Sequence, residues 1–64
     1  GTVKMRVHEN GLIFTNTRRQ KAVYVNTDTN TISVRDHFLN GTEIASVVCA
    51  GLSDVGEMVQ KYLK

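Results

Sequence analysis

Proline and tryptophan are absent from this chain, and cysteine occurs once in its 64 residues. The single thiol, Cys49, rules out a disulfide within one chain. His8, His37 and Cys49 are too few for a structural metal site and lack the close pairing of ligands that such sites use, so neither metal nor cofactor is expected. No apolar run reaches transmembrane length, no signal-peptide pattern precedes the rest, and there is no low-complexity tract or internal repeat. A membrane partner is therefore not expected. One free thiol and no targeting segment point to an intracellular location, cytoplasmic or nucleoid. The chain opens on Gly1-Thr2 and not on Met, the start expected of an excised domain or a cloning remnant.

What remains must stabilise a single small domain spanning residues 1–64. A core of this size is near the lower limit for standing alone, and chains of this kind commonly rely on a disulfide, a metal or a second subunit. With the first two excluded, a homodimer is expected.

Residues 3–36 alternate with a period of two and are rich in Val, Ile and Thr, as strands are. Asn10-Gly11 suits the two central positions of a type I′ hairpin turn, which pairs Val7 with Phe14, Arg6 with Thr15 and His8 with Ile13. A polar turn at Arg18-Arg19-Gln20 follows. The run from Lys21 to Arg35 reads as a second hairpin around Thr27-Asp28-Thr29-Asn30, pairing Val25 with Ile32, Val23 with Val34 and Tyr24 with Ser33. Four strands result, at about 3–9, 12–17, 21–27 and 31–36.

Beyond them the period changes. Asn40 and Glu43 have the spacing of a capping box, Leu39 and Ile44 that of a hydrophobic staple, and an apolar stripe from Ile44 to Tyr62 follows at steps of three and four. The spacing predicts a helix over about 41–63, with a break near Gly51–Ser53 because Gly51 suits a C-cap and Ser53 with Asp54 a fresh N-cap. The competing reading is a fifth strand at Ile44–Cys49, where β-branched residues dominate. The expected fold class is α+β: a four-stranded antiparallel meander with a C-terminal helix on one face. Its order resembles that of the Whirly and transcriptional positive-cofactor families of single-strand-binding dimers, a likeness of topology over the whole chain. That resemblance implies a dimerising helix and a curved sheet that takes single strands.

Charge is mildly positive in total, eight Lys and Arg against six Asp and Glu, yet its placement is uneven. Lys4, Arg6, His8, Ile13, Thr15, Thr17, Tyr24, Ser33 and Arg35 fall on the face opposite the apolar one, and Arg18, Arg19 and Lys21 crowd a turn at its end. The acids are assigned to turns, the end of the fourth strand at Asp36, and the helices, mostly at their starts, leaving that face without a carboxylate. Cations for phosphates and an aromatic for a base are what single-strand binders present. Lys4, Arg6, Arg18, Arg19, Lys21, Tyr24 and Arg35 are the candidate contacts. A solvated surface on a protein-interaction or oligomerisation module is the competing reading.

Catalysis is not expected. Asp36-His37 and Cys49 would have to converge, and a thiol in an apolar helix is usually inert core. Asp28-x-Asn30 starts like a calcium loop but lacks the later glycine and glutamate, and Asn40-Gly41-Thr42 is a glycosylation sequon that capping explains better. No small-molecule substrate is implied.

The segment from Ala45 to Leu52 carries Ser46 as its one polar side chain. A helix apolar nearly all round must be buried nearly all round, so Ala45, Val48, Cys49 and Leu52 are expected at a dimer interface. Val48→Asp should then dissociate or unfold the protein, because an unpaired buried carboxylate costs several kcal/mol; sedimentation and circular dichroism check this.

Overall fold

The computed structural model describes residues 2–37 and 41–64. Five antiparallel strands form one sheet in sequence order: β1 (Lys4–His8), β2 (Gly11–Asn16), β3 (Lys21–Asn26), β4 (Thr31–Asp36) and β5 (Glu43–Val48). One helix, α1 (Leu52–Leu63), closes the chain and packs across β2, β3 and β4, most heavily on β3. The α+β class is as expected. The strand count is five where four were expected, and the helix begins at Leu52 instead of near residue 41. No described helix is long and apolar enough to cross a membrane.

The two central hairpins share one local device. Four residues separate Asn16 from its partner Lys21, and four separate Asn26 from Thr31. In the first loop Asn16 Oδ1 accepts the N–H groups of Arg18 and Arg19; in the second Asn26 Oδ1 accepts those of Asp28 and Thr29. Each loop ends on a left-handed residue, Gln20 at φ 55° and Asn30 at φ 54°. Such side-chain turns are what Asn does best. The β3–β4 register agrees with expectation at Val23–Val34, Tyr24–Ser33 and Val25–Ile32.

The first hairpin is displaced from its expected register. Val7 pairs with Leu12, Arg6 with Ile13 and His8 with Gly11. The turn is therefore Glu9-Asn10, and Gly11 belongs to the ladder at φ 154°, between His8 and Asn26. Any Cβ at Gly11 would collide with the Val25 carbonyl, so glycine is needed here for close strand approach and not for the turn. The slip is two residues, which leaves every side chain on its expected face.

β5 is the larger correction. Ile44, Val47 and Val48 are β-branched, and pairing with β4 (Val34 with Ala45, Ile32 with Val47, Thr31 with Val48) satisfies backbone groups that β4 would otherwise leave open. Glu43, half of the expected capping box, opens the strand; Leu39 and Asn40 lie outside the described residues. A bulge at Ile44 absorbs the register change between Val34 and Arg35. Gly51 is the N-cap of α1 with an extended φ of −179°, and Asp54 in the first turn accepts the Ala50 N–H at 2.7 Å. That carboxylate also suits the positive end of the helix dipole.

The core joins Val23, Val25, Ile32 and Val34 of the sheet to Val55, Val59 and Leu63, one stripe of the helix at steps of four. At its end sits Asn16, 3% exposed, whose Nδ2 donates to the Leu63 carbonyl at 2.6 Å. One carboxamide thus closes the β2–β3 loop and satisfies an orphan carbonyl at the helix C-terminus.

Asn16→Ala should cost about 2–3 kcal/mol in urea unfolding, since it leaves a buried carbonyl and two loop amides without partners. Asn26→Ala removes the same loop bonds at an exposed site with no helix link, and should cost about 1 kcal/mol. Equal losses would show that the helix link is dispensable.

Candidate nucleic-acid interface

The sheet registers place three rows of side chains on the face away from α1. The first is Lys4, Thr15, Ala22, Arg35 and Glu43; the second Arg6, Ile13, Tyr24, Ser33 and Ser46; the third His8, Gly11, Asn26, Thr31 and Val48. Tyr24 stands on the central strand. Arg6 lies two strands away, at about 10 Å, and Arg35 is its diagonal neighbour on the next strand. Ile13 and Ala22 are buried and form a floor between these longer side chains. Lys4 and Arg6 are exposed, while Arg35 is half-buried and donates from Nη1 to the Gly41 carbonyl at 3.4 Å.

Three of the expected contacts lie off this face. Lys21 shares the helix side of β3 with Val23 and Val25, and its Nζ is 3.5 Å from the Asp36 carboxylate. The strict alternation of the strand already implied this, because Val23 and Val25 face inward. Arg18 and Arg19 project from the loop at the sheet end, where with Asn16, Leu63 and Lys64 they line a cleft beside the helix C-terminus. The candidate contacts therefore divide into Lys4, Arg6, Tyr24 and Arg35 across the face and Arg18 and Arg19 on its rim.

A carboxylate does lie on the face. Glu43, expected in a helix, stands directly across from Arg35 in β5 and accepts a 2.5 Å hydrogen bond from Ser33 Oγ. Of the remaining acids, Glu9, Asp28 and Asp54 stand at the other end of the sheet, Asp36 pairs with Lys21 at the end that carries Arg18 and Arg19, and Glu57 lies within α1. Glu9 occupies the first turn, Asp28 the third, and Asp54 the first turn of α1. The first and third turns are tied together, the Thr27 amide and hydroxyl both donating to the Asn10 carbonyl. Arg18, Arg19 and Lys64 stand at the end where the helix dipole is negative, which also holds the Lys21–Asp36 pair and Glu43.

Asp36 ends β4 and His37 follows it, 3.9 Å between Oδ2 and Nδ1. Cys49 follows β5 at the opposite end of the sheet, its amide bonded to the Asn30 carbonyl and its Sγ donating to that of Gly51. These groups do not converge. Among the described residues, no three His, Cys, Asp or Glu side chains lie close enough to share a metal ion.

The expected interface residues also take a different form. Ala45 and Cys49 are half-buried, whereas Val48 is 76% and Leu52 86% exposed. On the opposite edge strand, Met5 and Val7 are 57% and 74% exposed. No protein-family model, curated protein or solved structure matches this chain.

If phosphates lie on this face, Glu43 repels them. Glu43→Gln should tighten binding of a labelled single-stranded oligonucleotide about 2–5-fold, the worth of one exposed charge pair. Asp28→Asn, at the far end, should leave it unchanged.

Proposed function

We propose that this chain is a non-catalytic domain that binds single-stranded nucleic acid, DNA or RNA, and acts as a homodimer. The observation that carries the reading is Tyr24 at the middle of a sheet face, with Arg6 and Arg35 on either side and a buried floor of Ile13 and Ala22. An aromatic ring on the central strand of a sheet face is a stacking platform, and flanking guanidinium groups meet the backbone that runs past it. Arg18 and Arg19 extend the positive potential beyond the rim. Self-association is supported by the large apolar side chains that one copy leaves in water on both edge strands. A partly exposed free thiol at Cys49 fits a reducing, intracellular setting.

The same exposed side chains favour a second reading, a protein-interaction module whose basic face is only solvated. Salt separates the two. Anisotropy of single-stranded and duplex oligonucleotides should show tighter binding to the single strand and a steep loss of affinity with added salt. Arg6→Ala and Arg35→Ala should each weaken binding and flatten the salt slope by about 0.7, one phosphate's share on a single strand. Tyr24→Ala should cost about 1–3 kcal/mol with the slope nearly unchanged, because stacking releases no counterions. Lys61, whose Nζ sits 5.3 Å from the Tyr62 ring centroid, is the control; Lys64 is unsuitable because it shares the cleft of Arg18 and Arg19. Absent binding, or equal loss from Lys61→Ala and Arg6→Ala, would transfer the function to the protein-interaction reading.

A further inference from the structure

Among the described residues the meander leaves two free strand edges, β1 and β5, and they differ in chemistry. β1 carries Lys4, Arg6 and His8 on one face, so two copies paired through it would set cations opposite cations. β5 has one charge, Glu43, at its start, followed by Ile44, Ala45, Ser46, Val47 and Val48. It lacks the lysine or proline with which edge strands are usually blunted; its bulge lies at Ile44, leaving the stretch after it regular.

The hydrogen-bond phase of that stretch is fixed. The Cys49 amide donates to Asn30 O at 2.7 Å, so by the alternation of an antiparallel ladder Val47 and Ala45 also direct their backbone groups at β4. The N–H and C=O of Ser46 and of Val48 therefore point away from the sheet. Two such residues, two apart, are what a second strand needs.

We infer that β5 pairs with β5 of a second copy, antiparallel, about a two-fold axis that passes between the two Val47 residues. This rests on the self-association proposed above and specifies the surface and register through which it occurs. Ser46 of each copy exchanges both backbone hydrogen bonds with Val48 of the other, so all four outward groups beyond the bulge are satisfied in each chain. Val47, 41% exposed in one copy, meets its own counterpart at the close, non-hydrogen-bonded spacing on the helix side. Ala45 faces Cys49 of the second copy on that side, and Val48 is covered beside Ser46 on the other. Pairing β5 with β1 instead would be head-to-tail and would build a ring or an open filament, not a closed pair. The two-fold axis stands perpendicular to the sheet. Both basic faces therefore lie on one side of a continuous ten-stranded sheet and both helices on the other, which doubles the surface offered to one strand of nucleic acid.

The test uses sedimentation velocity with circular dichroism on the whole chain at tens of micromolar. The wild type should be a dimer. Val48→Pro and Ser46→Pro remove N–H groups that point away from the sheet and bond nothing among the described residues of one copy, so the spectrum should persist while the dimer is lost. Val7→Lys, on the other edge, should leave the dimer intact. Should proline disturb the fold, Ala45→Cys decides: the introduced thiol lies opposite Cys49 of the second copy, and oxidised glutathione should link the two chains covalently. The wild type should not link, because its two Cys49 residues stand four residues apart along the strands, about 13 Å. A dimer that survives Val48→Pro, or that forms without linking through Ala45→Cys, would overturn the β5 pairing while leaving self-association in place. A wild-type monomer at this concentration would overturn both.

Discussion

The Asn16 side chain is the contact on which the two layers of this molecule depend. A 12-residue helix is too short to be stable in water by itself. It is held by one stripe, Val55, Val59 and Leu63, against the sheet, and its last turn would bury a carbonyl with no partner. Asn16 supplies that partner from β2 while its other amide atom shapes the loop into β3. The loop cannot relax without loosening the helix end, and the helix cannot slide without exposing Leu63. Asn26 makes the same loop ten positions later with its Oδ1 alone, so the loop geometry is local and the bond to the helix end is what context adds at Asn16.

Much of this was legible in the residues. The alternation of residues 3–36 fixed four strands and which side chains share a face, and the loop at Thr27–Asn30 fixed the register of β3 with β4. The first hairpin departs from the register that Asn-Gly turn propensity implies because Gly11 is used where two strands press together. β5 departs from expectation for a related reason. Ile44, Val47 and Val48 sit at steps that satisfy both a helix stripe and a strand beyond a bulge. Local capping signals favoured the helix, and the open hydrogen-bonding edge of β4, a non-local demand, decided for the strand.

The consequences reached the candidate site. With 43–48 in the sheet, Glu43 came onto the basic face and Ser46 and Val48 with it. Lys21 could have been excluded in advance by counting along β3, where it shares parity with Val23. Arg18 and Arg19 could not be placed by parity, since a loop has none. The uneven placement of charge was legible in part, but not which groups share an end of the sheet. Glu9, Asp28 and Asp54 came to one end only when the β3–β4 loop folded back beside the β1–β2 turn and α1 ran antiparallel to β5.

The edges complete the argument about size. A five-stranded meander capped by one helix can cover at most three strands with that helix, and here β1 and β5 are the two left over. Both must keep apolar residues on the helix side, because the alternation that buries β3 and β4 continues outward through Met5, Val7 and Val47. At β1 the opposite face carries cations, so further strands are repelled and the apolar residues remain as isolated exposures. At β5 neither face carries a blocking charge beyond Glu43, and a free row of backbone groups lies between them. A domain too small to bury all of its own sheet has one edge left guarded and one left open. The stability of so short a chain and the position of its unguarded strand are then the same physical fact, since extending the sheet at β5 covers Val47 and Val48 without disturbing a single bond of the core.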